Sequence, residues 1–150
     1  MRRLAFLVLL LALTSAYGAA KDETVAELKA RFESARVEDR PELGMRIAQN
    51  QLRIADKFYS EGNADQARAA VDDIVAYSEK ARDAAIQTKK RLKNVEIDVR
   101  KMSEKLRDIK RTLVFEDQPP VEQAIRRLED VRTTLLKEMF AKDDRKEQKK

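Results

Sequence analysis

The chain has 150 residues, with 32 Lys and Arg against 27 Asp and Glu, a net charge of +5, and neither Cys nor His. That composition excludes the usual general base near neutral pH, thiol nucleophiles, disulfide staples and most zinc or haem ligand sets. The iron sites of helical bundles need a Glu-x-x-His pair that cannot exist here, and no glycine-rich phosphate loop occurs, so the expectation is a non-enzymatic protein with no cofactor and no metal.

Residues 1–20 read as a secretory signal peptide. Arg2 and Arg3 give a charged start, Leu4 to Leu13 an apolar run, and Thr14 to Ala20 a small-residue exit. Cleavage follows either Gly18 or Ala20. The apolar run is too short to anchor the chain, so no transmembrane anchor is expected after cleavage. An exported chain without Cys is easier to read as bacterial, periplasmic or secreted, than as a small extracellular eukaryotic domain.

The first helix is expected at 24–36, with Val25, Leu28, Phe32 and Ala35 on one face. A second is expected at 41–61, where Pro41 suits a first turn that does not need its N–H, and Gly44 weakens the early part. Gly62 fits a left-handed cap, and Asn63 is placed to accept from the N–H groups of Asp65 or Gln66. The two helices therefore form an antiparallel hairpin.

Residues 64–114 contain no Gly or Pro, and fourteen positions step through them by alternating fours and threes. These are Ala67, Val71, Ile74, Ser78, Ala81, Ala85, Thr88, Leu92, Val95, Val99, Met102, Leu106, Ile109 and Leu113. The pattern predicts one coiled-coil-like spine helix about 75 Å long. Gln118, Pro119 and Pro120 then enforce a stop, because Pro119 biases Gln118 away from helix. A last helix is expected at 120–140, and a disordered charged tail at 143–150.

The sequence thus predicts an all-α, elongated bundle of four helices. Its three-helix end spans 24–88 and its two-helix hairpin 89–140, both built on the shared spine.

Ile54, Ala55, Phe58, Gly62, Ala67, Val71 and Ile74 fall at the small and large packing positions of a tetratricopeptide (TPR) repeat, so residues 51–75 resemble a single TPR-like hairpin. That resemblance implies peptide or protein binding and transfers no particular residue. The exported, basic, helical character is also similar to the Skp family of periplasmic chaperones. No alternating strand pattern of the kind that family contributes to its trimeric body appears here.

Charge is unevenly spread: residues 89–111 hold ten basic and four acidic side chains. In the heptad frame Lys93, Arg100 and Arg107 form a one-sided row, extended by Lys89, Lys90 and Arg91. This row is a candidate surface for an anionic envelope or an acidic protein. Its alternative is an ordinary solvated face laced by Glu96–Arg100, Glu104–Arg107 and Asp108–Arg111 pairs. Asp72 with Asp73, and Asp143 with Asp144, read as solvated acids. Nucleic acid is not an expected partner, since no stacking aromatics interleave the basic residues.

Ile97, Leu136 and Phe140 widen the apolar surface beyond one seam and form a candidate apolar interface. A two-helix hairpin is marginal in water, so the partner is expected to be another protein or a second copy whose own hairpin completes a four-helix bundle. The function expected is a protein-protein interaction or scaffold role. The alternative is a periplasmic chaperone or a binder of anionic envelope surfaces through residues 89–111.

Overall fold

The computed structural model describes residues 23–147, with side chains as far as Ala141. The expected signal peptide at 1–20 and the last residues of the charged tail lie outside the described residues. Every regular element described is helical: α1 Val25–Ser34, α2 Arg40–Ser60, α3 Ala64–Thr88, α4 Leu92–Thr112 and α5 Gln118–Glu147, with a 3-10 turn at Phe115–Asp117.

Local sequence explains most of these boundaries. Thr24 and Glu27 close a capping box on α1, the Thr24 hydroxyl accepting from the Glu27 N–H at 3.2 Å and the Glu27 carboxylate from the Thr24 N–H at 2.8 Å. Pro41 sits in the first turn of α2. Gly62 takes the left-handed conformation, with φ of 77°, that separates α2 from α3. Asn63 makes no side-chain cap, in contrast to the expectation.

Gln118 differs as well. It is helical, with φ −71° and ψ −39°, and starts α5. Pro119 and Pro120 occupy the first turn, where missing N–H donors cost nothing. The backbone of α5 continues to Glu147, past Phe140 and into the expected tail.

The main correction concerns the spine. The described residues form five helices rather than four, because the 64–114 helix is broken at Lys89–Arg91. Lys89 (φ 56°, ψ 24°) and Arg91 (φ 59°, ψ 15°) are both left-handed, and the chain reverses between them. The 25 residues of α3 cover about 38 Å, half the predicted length. Twelve of the fourteen heptad positions are buried all the same; only Thr88 and Leu113, each at the end of a helix, are half-exposed. The seam lies on two helices running in opposite directions and enters one shared core, so no coiled-coil spine exists.

Folding back explains how the break is tolerated. A left-handed residue with a Cβ costs about 1–2 kcal/mol. Leu92 and Val95, at 8% and 2% exposure, are the first α4 residues to enter the core, and fully burying such side chains contributes about 1.5–3 kcal/mol each. A straight helix would leave them in water.

Cross-helix ion pairs fix the topology. Arg68–Asp117, Glu79–Arg127 and Lys89–Glu138 set α3 parallel to α5. Glu42–Arg91 and Asp56–Lys105 set α2 parallel to α4. Neighbours α2–α3, α3–α5, α5–α4 and α4–α2 close a ring, a four-helix bundle within one chain made of two antiparallel hairpins, α2–α3 and α4–α5, packed side by side. The apolar faces expected to await a second copy are covered by α2 and α3.

Leu28, Ile47, Ile74, Leu106, Leu128 and Leu135 fill the interior with no exposed area. A Cβ on Gly44 would lie 3.0 Å from both the Ala81 Cβ and the Tyr77 carbonyl, so glycine permits the close approach of α2 to α3. α1 rests on that pair. Phe32 meets the Tyr77 ring edge-on at 5.3 Å, and Lys29 reaches Asp73 at 2.5 Å.

Candidate functional site

The turn that breaks the spine is also the most cationic stretch of the backbone. Its geometry begins at Thr88, whose hydroxyl donates to the Ala84 carbonyl at 2.8 Å in the last turn of α3. The Lys89 N–H donates to the Ile86 carbonyl at 3.3 Å, and the Arg91 carbonyl accepts from the Val95 N–H at 3.0 Å to open α4. The two left-handed residues are each tied to a different flank: Lys89 to Glu138 of α5, and Arg91 to Glu42 of α2 at 2.9 Å. Lys90, at the apex, is exposed and has no partner among the described residues.

Beyond the turn the predicted basic row divides. Lys93 is exposed and unpaired among the described residues. Arg100 stands 3.9 Å from both Glu96 and Glu104, and Arg107 leaves the predicted Glu104 pair to meet Glu129 of α5 at 3.0 Å. Of the three surface pairs expected, Asp108–Arg111 forms at 2.9 Å and Glu96–Arg100 at 3.9 Å, and Glu96 also meets Arg132 of α5 at 2.7 Å.

Glu96, Arg132, Glu129, Ser103 and Arg107 make a polar ladder along the α4–α5 seam, with the Ser103 hydroxyl donating to Glu129 at 2.7 Å. Burial raises the Glu129 carboxyl, but hydrogen bonds from Ser103 and Arg107 and the charges of Arg107 and Arg132 outweigh it and hold the group below its ordinary value. Burial pushes the Asp98 carboxyl up, against the opposing charge of Lys101.

The same ladder sets the register of the candidate apolar residues. With Glu96 opposite Arg132, and α4 antiparallel to α5, Leu136 and Phe140 follow Arg132 along one edge of α5 toward the start of α4. Leu136 and Ile97 are half-buried, whereas Phe140 is 62% exposed because α4 begins only at Leu92 and leaves no helix beside it. The bundle end therefore unites Lys89, Lys90, Arg91 and Lys93 with Ile97, Leu136 and Phe140, while Arg100 and Arg107 belong to the ladder instead.

Lys137, also exposed and unpaired among the described residues, joins this end although no sequence pattern marks it. Its place depends on the chain reversal at Lys89–Arg91. Every arginine with a described side chain is engaged by a carboxylate, an amide, a carbonyl or an aromatic ring. Among the described residues, the free cations of this end are all lysines.

Other features are less suited to a ligand. A shallow depression of about 460 Å³ lies beside α2, lined by Glu23, Arg46, Gln49, Asn50 and Arg53, and its charges already satisfy one another: Glu23 accepts from Arg46 at 3.5 Å, and Arg53 from its side donates to Asn50. Asp73, expected as a solvated acid, instead accepts from Lys29 and Gln51 at 2.5 Å each; Asp72 is exposed. The side chains of Asp143 and Asp144 lie outside the description. No described helix is long and apolar enough to cross a membrane. No protein family, curated protein or solved structure matches this chain.

Proposed function

We propose that this is an exported, non-enzymatic binding protein that attaches to an anionic partner through the α3–α4 turn end of its bundle. The observation that carries the reading is the presence at that end of three lysines unpaired among the described residues, Lys90, Lys93 and Lys137, together with the exposed ring of Phe140. Cations left unsatisfied within a chain otherwise rich in ion pairs are available to a partner's negative charge. An exposed aromatic beside them supplies apolar contact area.

The bundle acts as a rigid mount. The strained turn is fixed on both flanks by α2 and α5, so the lysines project from a defined end. The TPR-like α2–α3 hairpin is used internally in this reading, its small residues Ala55, Ala67 and Ala70 serving the core. The sequence-based alternative, an anionic envelope surface, is thereby preferred to self-association through α4 and α5, whose apolar faces are already covered.

Site-specific photo-crosslinking in cells that make the protein tests this. Probes at Lys93 and Phe140 should capture a partner, and a probe at Glu61, at the opposite end, should not. Equal capture from both ends, or none from the turn end, overturns the proposal. N-terminal sequencing of chain recovered outside the cytoplasm should begin after Gly18 or Ala20.

A further inference from the structure

We infer that the anionic partner is a phospholipid bilayer, which the turn end enters peripherally, with Phe140 in the headgroup region and Lys90, Lys93 and Lys137 above it. The inference rests on the binding role proposed for this end and names its partner.

Three features of the site favour lipid over an acidic protein. The first is the kind of cation left free. Arginine's planar fork suits bidentate, oriented recognition of one carboxylate, and the described arginines of the turn and of α4 nearest it are already engaged: Arg91 on Glu42, Arg100 between Glu96 and Glu104, Arg107 on Glu129. The lysines that remain are flexible point charges, matched to a diffuse field of headgroups.

The second is extent. Three lysines and one exposed aromatic ring make a small site; a tight protein-protein contact needs a broader complementary patch. The third is the placing of Phe140. It is 62% exposed where α5 runs past the start of α4, so the ring can enter an interface without any helix unpacking. Phe115, at 79% exposure, lies in the turn between α4 and α5 beside the opposite end, which makes it an internal control.

The test is vesicle co-sedimentation of the chain from Lys21 onward, which contains every buried residue of the bundle. Vesicles of phosphatidylcholine with about one third phosphatidylglycerol should bind it, and pure phosphatidylcholine vesicles should not. Each lysine near the surface contributes about fivefold, so Lys90→Glu with Lys93→Glu and Lys137→Glu should weaken binding at least about 100-fold, and high salt should do the same. Phe140→Ser should lower binding by roughly tenfold, whereas Phe115→Ser should leave it unchanged. Circular dichroism confirms that each variant is folded.

Equal binding to neutral vesicles, or binding that survives the triple reversal, overturns the inference. If the anionic vesicles are ignored but polyglutamate is retained through the same lysines, the lipid assignment falls and the anionic-partner reading stands. If reversal of the lysines changes neither, both fall.

Discussion

Two turns reverse the chain on either side of α3, and they are built in opposite ways. At Glu61–Asn63 the reversal uses Gly62, φ 77°, where an added Cβ would meet nothing within 4 Å. At Lys89–Arg91 it uses two residues with long side chains at almost the same left-handed angles. The first turn is relaxed and marked by its own sequence. The second is strained, and it is held by what lies on either side of it. Strain retained by a surrounding structure is characteristic of functional sites, and in the binding role proposed above the residue this turn presents is Lys90, between the two strained positions.

If burial holds the strained turn, the largest effect should come from the first side chain that α4 inserts after it. Leu92→Ala is expected to destabilise the protein by about 2–5 kcal/mol, read as a lowered urea midpoint with unchanged slope. A loss below about 1 kcal/mol would mean that the turn stands without its flanking core.

The contrast between the turns also explains what the sequence could reveal. Helix α1, the end of α2 at Gly62 and the interior faces of α1, α3 and α4 were legible, since each depends on residues close together in the chain. The break at Lys89–Arg91 was not. No Gly or Pro marks it, and the step from Thr88 to Leu92 is four, so the three turn residues leave the heptad phase intact. Periodicity reports which residues face inward; it does not report the path of the chain. Of the site, Lys89–Lys93, Leu136 and Phe140 were visible as separate sets. Their union, and the addition of Lys137, required the reversal.

The ladder on the α4–α5 seam is the next point of leverage, because it sets the register that brings Phe140 to the turn. Arg132→Met removes the closest partner of Glu96, which is only 8% exposed and keeps Arg100 at 3.9 Å. A loss of about 1–3 kcal/mol is expected, the penalty of an incompletely satisfied buried carboxylate. Restoration of stability by Arg132→Met combined with Glu96→Met, measured as a double-mutant cycle, would show that the pair rather than the packing is responsible.

Glu129 gives the ladder a pH signature. Its folded value is depressed below the ordinary 4.5, so its contribution is fully present above that value and fades as pH falls through the depressed one. Thermal melts of the native chain should therefore lose stability on acidification, and Glu129→Gln should lose less over the same interval. An identical acid dependence in both would place the titration elsewhere. Asp98, whose value is raised, works in the opposite sense, its burial cost being relieved on protonation.

The smallest effect has the sharpest sign. Gly62→Ala should destabilise by about 1 kcal/mol, since alanine resists the left-handed region and no new contact compensates. Lys89→Gly with Arg91→Gly should do the reverse and stabilise by up to about 1 kcal/mol, relief of strain outweighing the extra freedom glycine gives the unfolded chain. Both replaced side chains lose exposed ion pairs, Lys89–Glu138 and Arg91–Glu42, worth about 0–1 kcal/mol each. Melts in high salt remove most of that offset. Were residues 89–91 helical, two glycines would instead cost about 1 kcal/mol apiece. The sign of one difference in melting temperature thus reports the strain held at Lys89 and Arg91.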